Sequence, residues 1–341
     1  MRLLLLALLL IVNCSAHSQT TDIMMHDGLN REFIYYTPTT WSPSESLPIL
    51  FVLHALTQDG PGIMDITGFN DIAEANNFIV CYPTGIAGAW NANMNVSISQ
   101  ADDIGFIEKV AIFMQNNFNT DNNRQYLCGM SNGAFMSYKL ACESSQCFAA
   151  IASISGTMSD TVYQNCSPQF MPDILHIHGT ADGVVSYFGS PTTGVSVNTF
   201  MEKWQTYHNC DPIPTQYPMP NPSLIDLSYP EGYSYNNCTN AELELIKIIG
   251  GGHQWPGILT VWGGVGTINL DFYSPQVAWD FLAGKQCSQF LGFDEAIEMN
   301  DSQEVLKIID LMGRETMFKP NTPLIFIYSD GSRERVFRTE Y

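Results

Sequence analysis

Basic residues are scarce in this chain. Fourteen Lys and Arg stand against 34 Asp and Glu in 341 residues, a formal net charge of −20. A surface of that sign repels phosphate backbones and anionic headgroups, which argues against nucleic acid and acidic membranes as partners. Long apolar runs are missing too. The longest, residues 3–12, has ten residues, and a bilayer-spanning helix needs about 20, so no transmembrane segment is expected. Nine cysteines include no Cys-x-x-Cys pair, which argues against a structural zinc site.

What is there begins with an export signature. Arg2 precedes the apolar run, and the small residues Ser15, Ala16 and Ser18 follow it. Residues 1–18 therefore read as a secretory signal peptide with a cleavage site at Ala16-His17-Ser18. Cys14 raises the alternative of a lipid anchor, which Asn13 fits poorly. The mature protein is expected to be secreted, extracellular or at the cell surface, where disulfides persist. Cys210 and Cys238 flank a Pro-, Asn- and Tyr-rich stretch and form the first candidate pair, while Cys142, Cys147 and Cys166 could supply a second. Cys81 and Cys128 sit inside strand-like apolar runs and read as buried free thiols.

The most informative stretch is Gly129-Met130-Ser131-Asn132-Gly133, a G-x-S-x-G pattern. An apolar, strand-like segment precedes it at residues 125–128, and residues 134–141 read as a helix. Strand, sharp turn on a serine, then helix is the context of a nucleophile elbow. The flanking glycines let backbones approach where side chains would collide, and the serine itself takes a strained conformation.

Around the elbow, apolar runs at residues 47–54, 78–82, 148–156, 173–179 and 243–249 alternate with helical stretches at 68–77, 102–117, 198–208 and 275–282. Near-continuous apolar runs mark strands covered on both faces. The alternation predicts an α/β fold with a doubly wound, mostly parallel sheet over residues 19–292. Asp102 and Asp103 open a helix, where they read as caps. After about residue 293 the composition changes. From residue 300 onward six basic residues face seven acidic ones, against eight and 27 before it. Alternating segments at 304–311, 324–328 and 334–338 predict a small β module over residues 300–341.

A serine hydroxyl needs a base to take its proton, and the base needs a third group to orient it. In an elbow fold the acid and then the histidine follow the serine in the chain. His176, His178, His208 and His253 follow Ser131. His253 comes directly after the last core strand, behind Gly250, Gly251 and Gly252, and is expected to be the base. Asp182 lies just past the strand at 173–179, where catalytic loops gather in open sheets, and is expected to be the acid. Two backbone N–H groups should form the oxyanion hole: one from Asn132, the other from Leu56 or Thr57 in the loop after an earlier strand. His54 is expected to anchor that loop. Trp255, Trp90 and Met130 lie in or beside these loops and are expected to contact substrate.

Together, Gly-Met-Ser-Asn-Gly-Ala, His-Gly-Thr-Ala-Asp, Gly-Gly-Gly-His-Gln-Trp-Pro-Gly and the Asp-Asp-Ile-Gly-Phe segment resemble the secreted polyhydroxybutyrate-depolymerase/feruloyl-esterase group of α/β-hydrolases over residues 25–285. The resemblance implies an α/β-hydrolase fold. It also implies Ser131 as nucleophile, Asp182 as acid, His253 as base, and ester hydrolysis through an acyl-enzyme without metal or cofactor. The group usually has His-Gly where this chain has His54-Ala55, and alanine tolerates positive φ poorly. The tail, with Leu311-Met312-Gly313-Arg314-Glu315 and a closing hairpin, resembles the C-terminal sorting modules of type IX secretion, which implies that secretion machinery as a partner.

The expected substrate is a polymeric or polysaccharide-linked ester, of hydroxyalkanoate type first, with feruloyl or acetyl-xylan esters as the alternative. Two rivals come from other classes. His176 and His178 alternate along one strand, so both face one way and could chelate a metal. A hydrolase scaffold could also serve as a non-catalytic binding module on a surface.

Overall fold

Unbroken apolar runs cannot sit on a sheet with one wet face, and here they occupy its middle. The computed structural model describes residues 18–95, 98–239, 241–259, 266–287, 305–310, 316, 324–328 and 333–336. The signal segment therefore lies, Ser18 excepted, outside the described residues. Two antiparallel strands open the fold, β1 (Ser18–His26) and β2 (Leu29–Thr37). The core strands are β3 (Leu47–Leu53), β4 (Ile79–Pro83), β5 (Thr120–Met130), β6 (Ala150–Ile154), β7 (Asp173–Gly179) and β10 (Leu243–Ile249). With β8 (Thr215–Pro218) and β9 (Tyr229–Tyr235) they form a ten-stranded sheet in the order β1-β2-β4-β3-β5-β6-β7-β10-β9-β8. The six core strands run parallel, and antiparallel pairs finish both edges.

Helices cover the sheet: α1 (Gly60–Thr67), α2 (Phe69–Asn76), α3 (Asp103–Phe118), α4 (Asn132–Glu143), α5 (Asp160–Asn165), α6 (Val197–Tyr207) and α7 (Ser274–Leu282). Residue alternation sends Phe51, Leu53, Leu127 and Ile151 into one core, with Phe135 and Trp204. It sends Leu50, Val52, Tyr126 and Cys128 into the other, with Ile246 and Trp279. Each such side chain contributes about 1.5–3 kcal/mol on full burial. Register then fixes the working edge. Leu53 lies beside Gly129, Met130 beside Ile154, Ile154 beside Ile177, and Gly179 beside Ile248. The carboxyl ends of β3, β5, β6, β7 and β10 thus finish together, and the loops leaving them meet.

The structure adds elements to the sequence reading. The helix expected at 68–77 is α2, but α1 precedes it unanticipated: Gly68 takes φ 59° between the two, and Asp59 caps α1 by accepting from Gly62 N–H at 2.8 Å. The polar stretch between Cys210 and Cys238 carries β8, the exposed edge strand, and β9 beside it, which buries only Pro230 and Gly232, so its composition mimics a loop. Disulfides join Cys210 to Cys238, Cys142 to Cys166, and Cys147 to Cys287. Cys81 and Cys128 are buried and free.

The chain divides into two compact units, Met1–Phe290 and Leu291–Tyr341. In the second, β11 (Val305–Asp310), β12 (Leu324–Tyr328) and β13 (Arg333–Val336) form an antiparallel three-stranded sheet in that order. The Ser329–Ser332 turn and the segment 311–315 lie outside the described residues. No helix among the described residues is long and apolar enough to cross a membrane.

Candidate functional site

The elbow forms where β5 meets α4. Ser131 takes φ 53° and ψ −122° and is held there by its N–H, which donates to Ile154 O at 2.9 Å. A non-glycine residue in such a region costs on the order of 1–3 kcal/mol and persists only where its surroundings impose it. They do so by close approach. A Cβ on Gly129 would come within 2.6 Å of the Gly133 backbone, and one on Gly133 would strike the Leu53 carbonyl.

Asp182 and His253 arrive from two neighbouring strand ends. Asp182 follows β7, and its Oδ1 accepts from Val184 N–H at 2.9 Å and Val185 N–H at 2.8 Å. His253 follows β10, and Ala181 N–H donates to Gly251 O at 2.9 Å, tying the two loops together. His253 Nδ1 lies 2.8 Å from Asp182 Oδ2. Burial works against the Asp182 charge, but hydrogen bonds from His178 and His253 outweigh it and hold the carboxyl well below the usual carboxylate range. An ionised carboxylate only accepts, so Nδ1 of His253 carries the proton and Nε2 is left as a base.

Ser131 and His253 line one cavity of about 370 Å³. Leu56, Thr57, Trp90, Met130, Asn132 and Trp255 line it too, so the expected site residues other than Asp182 share this space, and Asp182 sits behind His253. Met94, Ile98, Val184 and Val185 also line it and were not anticipated. Leu56, Ile98 and Val184 are 38%, 57% and 43% exposed, which gives the cavity an apolar rim.

The opposite wall departs from expectation. Thr57 N–H donates to Gly88 O at 2.8 Å, so it is spent and cannot serve an oxyanion. Leu56 N–H has no partner among the described residues, and Asn132 opens α4, where first-turn N–H groups have no intrahelical acceptor. The left-handed conformation falls on Thr57, at φ 67°, rather than on Ala55. His54 anchors the loop as expected: Nδ1 donates to Ala55 O at 2.8 Å and Nε2 accepts from Gly85 N–H at 2.9 Å. Burial lowers its pKa to about 4, which keeps it neutral.

Trp90 lines the cavity although almost all of its surface is buried. It packs 4.8 Å from His54, and its Nε1–H donates to His54 O at 3.0 Å. The Asn132 side chain clamps its backbone, accepting from Trp90 N–H at 2.7 Å and donating to Trp90 O at 3.2 Å. Next along, Asn91 N–H donates to Asp103 Oδ2 at 2.6 Å, and Lys139 Nζ donates to Asn91 O at 2.8 Å. Asp102 caps α3 through Gly105 N–H, as anticipated, whereas Asp103 is buried and paired with Arg31. Sequence reading found Asp103 but not the loop it holds.

His176 and His178 do face one way, but their nitrogens are engaged. Tyr138 OH lies 3.2 Å from His176 Nδ1, and His176 Nε2 lies 3.2 Å from His178 Nδ1. His178 Nε2 lies 2.8 Å from Val185 O and 3.4 Å from Asp182 Oδ2. Neither imidazole keeps a free lone pair for a metal, and no cluster of metal-ligating side chains occurs among the described residues.

The family model Esterase, described as "Putative esterase", matches residues 26–222, a span that includes Ser131 and Asp182 and ends before His253. The bifunctional acetylxylan esterase/xylanase XynS20E of Neocallimastix patriciarum is 26% identical over 242 residues, covering 68% of this chain and 32% of that protein. Acetylxylan esterase A of Aspergillus awamori is 24% identical over 121 residues, covering 34% of this chain and 40% of that one. The matches thus span well under half the length of these relatives. The solved acetyl xylan esterase from Aspergillus awamori superposes with a TM-score of 0.54 at 16% identity, covering 72% of this chain and 96% of that one. The likeness fixes the fold as that of the α/β-hydrolases.

Proposed function

The chain belongs to the esterase family, and on that premise we propose that it is a secreted serine esterase cutting carboxylic esters carried on polysaccharide, of acetyl or feruloyl type. One observation carries the reading: Ser131 stands on a strained strand-to-helix turn and shares a cavity with a histidine whose Nδ1 is bonded to a buried carboxylate. Ser131 Oγ attacks the acyl carbon while His253 Nε2 takes its proton, and Asp182 steadies the imidazolium. The N–H groups of Asn132 and Leu56 receive the oxyanion. The alcohol leaves with the proton held by His253, and water then repeats the sequence on the acyl-enzyme. These side chains and water supply every step. The acetylxylan esterases among the relatives support the substrate class.

Hydroxyalkanoate polyester is the second reading, favoured by the exposed apolar rim of Leu56, Ile98 and Val184, which suits an uncharged polymer surface. Export through residues 1–18 is supported by three disulfides. The tail's small β module, as a sorting element for type IX secretion machinery, belongs to the same proposal.

A panel of acetyl, feruloyl and hydroxybutyrate-oligomer esters, run with Ser131→Ala, tests the reading. The variant should lose on the order of 10⁵–10⁶ in turnover, and a fluorophosphonate probe should label Ser131. A folded protein that takes no label and cuts no ester would be the non-catalytic binding module instead.

A further inference from the structure

We propose that His178 is a positioning residue for Asp182, with its tautomer dictated by the Tyr138–His176 pair behind it. The inference rests on Asp182 being the acid of the proposed esterase. Tyr138, His176 and His178 are wholly buried between α4, β7 and α6. Burying three polar groups in an apolar layer is costly unless each finds a partner, and leucine or isoleucine would fill such space without that cost.

The partners settle where the protons lie. Val185 O can only accept, so the 2.8 Å contact requires a proton on His178 Nε2. The 3.2 Å contact between His176 Nε2 and His178 Nδ1 takes one proton, which the proposal places on His176 Nε2 so that His178 Nδ1 accepts. His176 Nδ1 is left as acceptor for the Tyr138 hydroxyl at 3.2 Å. Burial lowers the pKa of His176 well below the ordinary value, so it stays neutral. Every bond in the series points the same way, toward the Asp182 turn.

That turn is bolted at two points as a result. Val185 N–H donates to Asp182 Oδ1 at 2.8 Å while Val185 O receives His178. The same His178 Nε2–H leans toward Asp182 Oδ2 at 3.4 Å, the oxygen that holds His253. Val185 also lines the cavity. His178 touches no reacting atom; it fixes the direction in which Asp182 presents its oxygen to His253.

The test uses the full chain with 4-nitrophenyl acetate. His178→Leu should lower kcat by about 10–100-fold with KM within about 3-fold, because it disturbs the acid rather than binding. In an Asp182→Asn background the same change should cost less than about 3-fold, since the two act through one another. Equal losses in both backgrounds, or a loss confined to KM, would assign His178 to packing and overturn the proposal. Should His178→Leu not fold, His178→Gln and His178→Asn decide. Gln can place a donor near the Nε2 position and should keep most of the rate, Asn is too short and should not, and equal rates refute the role. A readout independent of turnover separates this inference from the esterase reading. Imidazole nitrogen NMR should show His176 and His178 both as Nε2–H tautomers, and an Nδ1–H His178 would sink the proposal even in an active esterase.

Discussion

The two walls of the cavity are built by different means. On one side Asp182 and His253 are set by side-chain hydrogen bonds to a charged group, with His178 reinforcing the turn. On the other, Ala55, Leu56 and Thr57 are set by backbone bonds and by a neutral imidazole, His54, with Gly88 O absorbing one of the two expected N–H donors. Charge organises the first wall, and close backbone packing organises the second. The first should therefore fail through loss of a charge, the second through loss of shape or through protonation.

Between the two walls, the larger effect is expected from the charge. Asp182→Asn keeps the volume but lets the amide offer N–H where His253 needs an acceptor, which favours the wrong imidazole tautomer. Turnover should fall by about 10³–10⁴-fold, as when a triad aspartate becomes asparagine, measured on the best ester of the panel. Retention of wild-type rate would send the search for the acid elsewhere.

The contrast also explains what could be read in advance. Ser131, Asp182 and His253 were legible because each follows a strand whose apolar run is unmistakable, and because chain order removes most histidines. The parallel sheet was legible for the same reason: β3, β5, β6, β7 and β10 are covered on both faces. The other wall was not. Whether Leu56 or Thr57 keeps a free N–H depends on Gly88, far along the chain, and no local pattern encodes that pairing. His178 read as a candidate metal ligand because alternation shows which way a side chain faces, not what it meets. Strands β8 and β9 escaped notice because β8 is mostly exposed and β9 buries only Pro230 and Gly232, so nothing forces an apolar alternation.

Protonation should break the second wall at an identifiable pH. His54 Nε2 accepts from Gly85 N–H, and a proton there would set two donors against each other. Its folded pKa of about 4 lies below the ordinary value of 6.5. Between those values the unfolded chain binds the proton and the folded chain does not, so stability is lost as pH falls through that window. From pH 7 to 4.5 the loss from this group should be about 2–3 kcal/mol. His54→Gln should show a shallower decline in urea unfolding over the same range. An identical slope in variant and wild type would clear His54 of the role.

The smallest effect separates shape from strain within the same wall. Gly88 sits at φ 71°, and a Cβ there would lie 3.2 Å from both Gln58 O and Thr57 Cα. Gly28 sits at φ 75° with nothing within 4 Å of the same atom. Alanine at either position pays for a left-handed backbone, about 1 kcal/mol. Only Gly88→Ala also pushes the loop that carries Leu56 N–H. Both variants should lose similar stability in denaturant, while turnover should fall by about 3–10-fold in Gly88→Ala alone, because a displaced donor misses the oxyanion. Equal turnover in the two would mean that the Ala55–Gln58 loop tolerates displacement, and the oxyanion donors would then have to be sought outside it.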